Sequence, residues 1–147
     1  MKGQNVLFSS KSDEWETPRE FFTTLDEEFH FNLDACATNQ NRKCSRFFTS
    51  EDDGLNRPWS GNVWCNPPYS NIAEWVKKAS CEANMGGCDV VVLLIPARTD
   101  TRWFHEYLYN KPNVELRFIR GRLKFGDSKN SAPFPSMLAI LKKNSMQ

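Results

Sequence analysis

The tetrapeptide Asn66-Pro67-Pro68-Tyr69 follows a short apolar stretch at residues 63–65. Proline has no backbone N–H and drives the residue before it toward extended geometry, so the tetrapeptide predicts a stiff elbow at a strand end. The Asn66 side-chain carbonyl and the Pro67 backbone carbonyl are two acceptors that could hold the N–H groups of an exocyclic amine. The Tyr69 ring adds a stacking face, so a nucleobase that has left its stack fits this elbow.

Acidic residues stand at two other predicted strand ends. Asp34 lies in the segment FNLDACA, and Asp52 and Asp53 lie in the acidic turn of SRFFTSEDDGL. In an open α/β sheet, ligands bind at the carboxyl ends of the strands. We therefore expect these acids and the tetrapeptide to line one cleft. Taken alone, each acid is as typical of a solvated turn, and the tetrapeptide of a plain strand terminator.

Helical and strand patterns alternate along the chain. Apolar residues at helical spacing predict a first helix over REFFTTLDEEF, capped by Thr17, a second over residues 71–82 and a third over ARTDTRWFHEYLYN. Strands are expected at FNLDACA, GNVWC, DVVVLLIP and PFPSMLAILKK, with two basic alternating segments around Gly121. The segment SRFFTSEDDGL is expected to be a short strand that runs into an acidic turn. The unbroken apolar run DVVVLLIP is typical of a strand buried on both faces. This order predicts one α/β domain over residues 1–147, with residues 1–12 as a flexible lead-in.

Composition restricts the class of protein. The 147 residues carry 19 Lys and Arg against 18 Asp and Glu, so nucleic acid would have to bind through a local basic face. The longest apolar run is too short to span a membrane and the N-terminus has no signal-peptide core, so we expect a cytoplasmic protein. Five cysteines without a C-x-x-C pair, and two histidines apart from them, predict reduced, packed thiols and no bound metal.

The ordered set of motifs resembles one family. The tetrapeptide is similar to the catalytic motif of S-adenosylmethionine-dependent amino-methyltransferases, and LDACA is similar to their methionine-binding segment. From DEWETP through DGL, WCNPPYS, LIPARTDTRWFH, GRLKFG and SAPFPSM, residues 13–141 resemble the phage-type DNA N-6-adenine-methyltransferase (Dam) family. The resemblance implies a compact Rossmann-like methyltransferase fold with a mostly parallel sheet, an antiparallel C-terminal strand and helices on both faces. About thirty residues separate Asp34 from Asn66, so we expect one helix–strand unit to be shortened or missing.

The resemblance implies a role for each matched position. In the catalytic set Asn66, Pro67, Pro68 and Tyr69, the first two would accept hydrogen bonds from the adenine amine and Tyr69 would stack on the flipped base. The implied positions for S-adenosylmethionine are Trp15, Thr17, Pro18, Asp34, Ala35, Cys36, Asp52 and Asp53. Thr17 would hold the carboxylate of the cofactor, and residues 34–36 would line its methionine portion. Asp53 is preferred over Asp52 for the ribose or adenine, while Trp15 and Trp75 are by themselves more typical of core rings.

Basic residues after the later strands are candidates for contact with double-stranded DNA. These candidates are Arg98, Arg102, Arg120, Arg122 and Lys124, and a rim of this kind neutralises phosphates. Without the resemblance, the same residues are typical of a solvated face. The loops at residues 38–46 and 127–131 are candidates for reading bases. The resemblance further implies a phage- or prophage-encoded protein that acts in a bacterial host as a monomer or weak dimer.

These observations favour a site-specific DNA adenine-N6 methyltransferase, with GATC suggested by the family name as its target. A second hypothesis keeps the fold and changes the amine to one on an RNA base or a protein glutamine. A third is a catalytically idle DNA-binding relic. Intact Asn66 and Tyr69 argue against the relic, and the similarity over nearly the whole chain argues against the second hypothesis.

Overall fold

The computed structural model describes residues 16–125 and 132–144. Its helices are α1 (Arg19–Phe29) and α2 (Ile72–Met85), and its strands are β1 (Leu33–Asp34), β2 (Ser60–Cys65), β3 (Gly87–Pro96), β4 (Val114–Phe118) and β5 (Ser136–Lys142). Short helical turns occupy Gly54–Asn56, Tyr69–Asn71 and Phe104–Leu108. Trp15 and the loop at residues 127–131 lie outside the described residues.

The strands form one sheet in the order β1-β2-β3-β5-β4. The first three strands are parallel, and β5 runs antiparallel to both of its neighbours, β3 and β4. Strand β4 therefore points the same way as β3, and the carboxyl ends of β1 to β4 share one edge. The architecture is a Rossmann-like methyltransferase fold, which confirms the prediction of a mostly parallel sheet with an antiparallel last strand.

Helices cover both faces of the sheet, and β3 explains why its sequence does not alternate. Val91, Leu93 and Ile95 belong to the buried cluster around α2, whereas Val92 and Leu94 belong to the cluster around α1. A strand packed on both faces needs apolar side chains at every position. The continuous apolar run thus follows from the two-sided core.

The connection between β1 and β2 differs from the sequence prediction. The prediction of a strand in SRFFTSEDDGL is wrong. This segment pairs with the sheet through an isolated bridge between Phe47 and Asp34. Strand β1 itself has two residues rather than the seven of FNLDACA. Residues 35–59 contain no α-helix, so the expected loss of a helix–strand unit is confirmed. This segment turns back on itself through hydrogen bonds such as Asp53 N–H to the Thr49 carbonyl, 3.1 Å.

Two further element predictions are corrected. The predicted third helix is reduced to the turn Phe104–Leu108, because tight turns close first at residues 96–101, where Arg98 N–H donates to the Pro96 carbonyl. The basic segment after Gly121 is irregular rather than extended. Helix α1 begins as predicted, but Pro18 occupies its N-cap position without a side-chain cap, and Thr17 has another partner.

The five cysteines are not joined by disulfides in the structure, in line with the predicted reduced thiols. Two of them, Cys65 and Cys88, are fully buried, whereas Cys81 is exposed on α2, so the expectation that all five are packed is wrong. Within residues 16–125 and 132–144, no helix is long and apolar enough to cross a membrane.

Candidate active site

A cavity of about 540 Å³ opens at the carboxyl ends of β1 and β2. Its walls come from four parts of the chain: residues 16–17 before α1, the loop 34–43 after β1, the turn 49–55, and residues 64–75 from β2 into α2. The volume is in the range of small-ligand and cofactor sites. The cavity lies where parallel strands are expected to present a ligand site.

Asp34 organises the first wall of the cavity. Its carboxylate is 3% exposed and accepts hydrogen bonds from Cys36 N–H at 3.3 Å and from Lys43 N–H at 3.0 Å. Burial raises the pKa of Asp34 to about 6, against the lowering effect of these two backbone donors. Asp34, Ala35 and Cys36 all line the cavity, and Asp34 also holds the loop at residues 36–43 in place.

Thr17 and Asn66 join two walls that are distant in sequence. The Asn66 Nδ2 group donates to the Thr17 hydroxyl oxygen at 3.0 Å. Thr17 is 4% exposed, and both residues line the cavity. Because Thr17 engages the amino end of the amide, the carbonyl end of Asn66 is directed away from Thr17. Pro18, the neighbouring candidate, starts α1 and is not among the lining residues.

The two candidate aspartates of the acidic turn have different surroundings. Asp53 lines the cavity in a left-handed backbone conformation with φ 59°, and its carboxylate accepts from the Asn56 amide at 2.6 Å. The Asp52 carboxylate instead accepts from Thr49 N–H and Oγ1, and these bonds lower its pKa. Asp52 closes the turn, and Asp53 is the acid presented at the cavity.

The four residues of the elbow, Asn66 to Tyr69, do not all face the same cavity. Asn66 and Pro68 line the main cavity, and Pro67 is buried. Tyr69 lines a second, smaller cavity of about 240 Å³ together with Arg98, Thr101 and Trp103. Its ring packs edge-to-face on Phe134 at 5.0 Å, and burial raises the pKa of its phenol. Asn71 lines both cavities, so the two are neighbours across the elbow.

Sequence reasoning did not assign Trp75 or Lys43 to the main cavity. Trp75 is a core residue, as predicted, and stacks on Trp59 at 6.2 Å between ring centroids, but it also lines the cavity. In the described part of the chain, its indole N–H and the Asn71 Oδ1 atom are both buried without a hydrogen-bond partner. Lys43 also lines the cavity, although its loop was predicted to read bases. Its position depends on the path of an irregular loop, which no periodic pattern reveals.

The candidate DNA contacts are all exposed and follow β3 and β4. Arg98 and Arg102 come after β3, and residues 120–124 come after β4, at the same edge of the sheet as the cavity. Arg117, in the same basic segment, is instead bound by Glu28 and Glu115 at 2.7 and 2.6 Å. Its charge is therefore neutralised within the protein. Among the described residues, no group of three or more His, Cys, Asp or Glu could hold a metal ion.

The fold and the cavity define a class: a Rossmann-like α/β protein of the methyltransferase type, with a cavity at its strand ends. Residues 4–145 match the family described as DNA N-6-adenine-methyltransferase (Dam). The chain therefore belongs to this family.

Two relatives carry the same description. The DNA N-6-adenine-methyltransferase of Escherichia phage T1 is 37% identical over 116 residues, which is 77% of this chain and 48% of the relative. The corresponding protein of Haemophilus phage HP1 (strain HP1c1) is 30% identical over 139 residues, covering 89% of this chain and 79% of the relative. The chain thus spans about half the length of the T1 relative and most of the HP1 one.

Proposed function

We propose that this protein is an S-adenosylmethionine-dependent DNA methyltransferase that acts on the exocyclic amine of a flipped adenine. The observation that carries the proposal is the position of Asn66, which follows a parallel strand, lines the main cavity and is oriented by Thr17. Membership of the Dam family and the two phage relatives support adenine in DNA as the substrate.

The residues of the main cavity fit S-adenosylmethionine. This cofactor carries a sulfonium, an ammonium and a carboxylate, so its net charge is positive. Four acids line the cavity and complement that charge: Glu16, Asp34, Glu51 and Asp53. The neighbouring apolar surface of Leu55 and Trp75 suits the adenosine portion.

The residues of the protein would orient the adenine for methyl transfer. When bound, S-adenosylmethionine supplies an activated methyl group, so no covalent nucleophile or metal is required of the protein. Thr17 holds the amino end of the Asn66 amide, and we assign its carbonyl end, together with the Pro67 carbonyl, as the acceptors for the adenine amine. Tyr69, on the far side of the elbow, offers its ring to the base, and the raised pKa of its phenol keeps that ring neutral.

A labelling experiment tests this function. The protein is incubated with methyl-labelled S-adenosylmethionine and unmethylated plasmid DNA, RNA or a mixed protein substrate, and the Asn66→Ala variant is tested in parallel. We expect label in N6-methyladenine of DNA with the wild type alone. Efficient transfer to RNA or protein without transfer to DNA would contradict the proposal. Digestion with methylation-sensitive nucleases then tests GATC as the target.

A binding control separates chemistry from cofactor capture. Asn66→Ala should keep its affinity for S-adenosylhomocysteine within a few-fold, because the proposed role of the Asn66 carbonyl is toward the base. If the variant lost cofactor binding as completely as activity, the assignment of Asn66 to the amine would be wrong.

A further inference from the structure

Lys43 is a half-buried residue whose side chain is enclosed in the wall of the main cavity. Its side chain is 4% exposed, and the residue lines the cavity beside the loop that follows β1. Among the cavity residues that the structure describes, it is the sole lysine or arginine, against four acids. Lysine is rarely buried to this degree unless its charge is used or paired.

The contacts of Lys43 leave its ammonium group partly satisfied. Nζ donates to the Asn41 carbonyl at 3.0 Å, and the nearest carboxylate oxygen, Glu16 Oε2, lies 3.9 Å away on a side chain that is 52% exposed. An ammonium group has three N–H donors, and within the described chain the Asn41 carbonyl is the acceptor that Nζ bonds. The Lys43 backbone N–H separately binds the Asp34 carboxylate, which ties this lysine to the end of β1.

Charges around Lys43 do not offset its burial. Desolvation lowers the pKa of Lys43, the nearby Arg19 lowers it further, and Glu16 and Asp34 raise it by smaller amounts than desolvation lowers it. A carboxylate entering the cavity could approach Nζ more closely than Glu16, whose Oε2 lies 3.9 Å away on a half-exposed side chain.

S-adenosylmethionine carries such a carboxylate on its amino-acid portion. We propose that Lys43 binds this carboxylate, and that it thereby selects adenosine ligands with the intact amino-acid group over those without it. The inference rests on the proposed function, because it takes S-adenosylmethionine as the ligand of the main cavity. Lys43 lies beside Glu16, the residue before Thr17. The proposed carboxylate site would therefore combine Thr17 with a charged residue from the loop after β1.

Calorimetric titration with two ligands tests the inference. S-adenosylhomocysteine has the amino-acid group, and 5′-methylthioadenosine lacks it, so the pair isolates the contribution of that group. Removing one charge-assisted contact is expected to weaken S-adenosylhomocysteine binding about 10- to 100-fold in Lys43→Met. The same substitution should change 5′-methylthioadenosine binding less than about twofold, and Lys43→Arg should retain part of the preference.

Lys78→Met is the matched control. Lys78 also has a mostly buried side chain, but it pairs with Glu82 at 3.1 Å on α2 and is not among the residues of the main cavity. Its substitution should leave the preference for S-adenosylhomocysteine over 5′-methylthioadenosine unchanged.

Three outcomes would overturn the inference. Equal weakening of both ligands in Lys43→Met would indicate a structural lysine, and no change in either would leave it without a role in binding. If the wild type bound neither ligand, the cofactor assignment of the cavity would be wrong as well, which distinguishes the two failures.

A wild-type measurement covers the case in which Lys43→Met does not fold. The decarboxylated analogue of S-adenosylhomocysteine keeps the ammonium group and lacks the carboxylate. It should bind the wild type at least tenfold more weakly than S-adenosylhomocysteine. Equal affinity of the wild type for the two would contradict a carboxylate contact.

Discussion

The Asn66 amide donates to the Thr17 hydroxyl oxygen at 3.0 Å across 49 residues of sequence. This bond joins the residue before the start of α1 to the residue after the end of β2. It fixes the orientation of the Asn66 amide, because the amino end is engaged by Thr17. A side chain predicted to cap a helix therefore orients the proposed catalytic amide instead.

Thr17→Val should lower the rate of methyl transfer. Valine keeps the shape of threonine and removes the acceptor, so the Asn66 amide loses its orientation, and we expect kcat to fall about tenfold. Single-turnover transfer to plasmid DNA measures the effect. Thr17→Ser retains the hydroxyl and should remain close to the wild type. Equal rates for the valine and serine variants would show that this bond does not orient the amide.

Gly54→Ala should destabilise the protein and weaken cofactor binding. A Cβ at this position would lie 2.5 Å from the Ala35 carbonyl oxygen and 3.2 Å from the Trp75 ring, so two walls of the cavity would have to separate. Overpacking of this kind costs about 1–3 kcal/mol. Chemical denaturation gives the free energy of unfolding, and titration with S-adenosylhomocysteine gives the affinity.

Gly87→Ala is the control for this substitution. Its Cβ would meet its nearest atom, the Trp59 carbonyl oxygen, at 3.8 Å, which is ordinary contact. Gly87 begins β3, away from the cavity. A Gly54 variant as stable as the Gly87 variant would mean that the cavity walls adjust without cost.

Asp34 should make the protein more stable at mildly acidic pH. Its pKa is about 6 in the folded protein against 3.8 ordinarily, so the folded state holds the proton more tightly. The resulting stabilisation is fully present below pH 3.8 and is lost as the pH rises through about 6. Its full size is ~3 kcal/mol at most, since one pKa unit is about 1.4 kcal/mol.

Asp34→Asn isolates this effect. The variant cannot titrate at position 34, so the difference in unfolding free energy between wild type and variant should change between pH 4 and pH 7, in favour of the wild type at the lower pH. Denaturation at several pH values measures that difference. A difference independent of pH would mean that Asp34 keeps its ordinary pKa.

Arg122→Ala should weaken DNA binding without affecting the cofactor. Arg122 follows β4 at the cavity edge of the sheet and is exposed, and its bond to the Ala132 carbonyl is long at 3.4 Å. Loss of one phosphate contact should reduce affinity about three- to tenfold and lower the salt dependence by about one counterion. Fluorescence anisotropy with a DNA duplex at several salt concentrations measures both.

Lys111→Ala is the control for the basic rim. Lys111 is also exposed, but it precedes β4 and so lies at the opposite edge of the sheet. Its substitution should leave the salt dependence unchanged. Similar losses for the two variants would indicate a general charge effect rather than a rim, and a loss of S-adenosylhomocysteine affinity in Arg122→Ala would contradict a role confined to DNA.

Much of the site was predictable because it depends on local patterns. An apolar stretch followed by Asn66-Pro67-Pro68 predicts a strand that ends in an elbow, and the run DVVVLLIP predicts a strand buried on both faces. Parallel strands bring their carboxyl ends to one edge, so Asp34 and Asn66 were expected to meet, and both line the main cavity. The contacts that these residues make with ligands stay predictions.

By itself, the sequence determined strands β2, β3 and β5, the two long helices and the elbow, because periodicity and proline geometry act over a few neighbouring residues. The tertiary structure alone decided that Thr17 binds Asn66 and that the Lys43 side chain is buried at the cavity. It also places Asp53, the aspartate preferred from the sequence, at the cavity. The placements of Asp53 and Lys43 depend on how the irregular segment at residues 35–59 folds back against the strand ends. Such a segment has no repeating pattern, so its path is set by hydrogen bonds and packing between residues far apart in the chain.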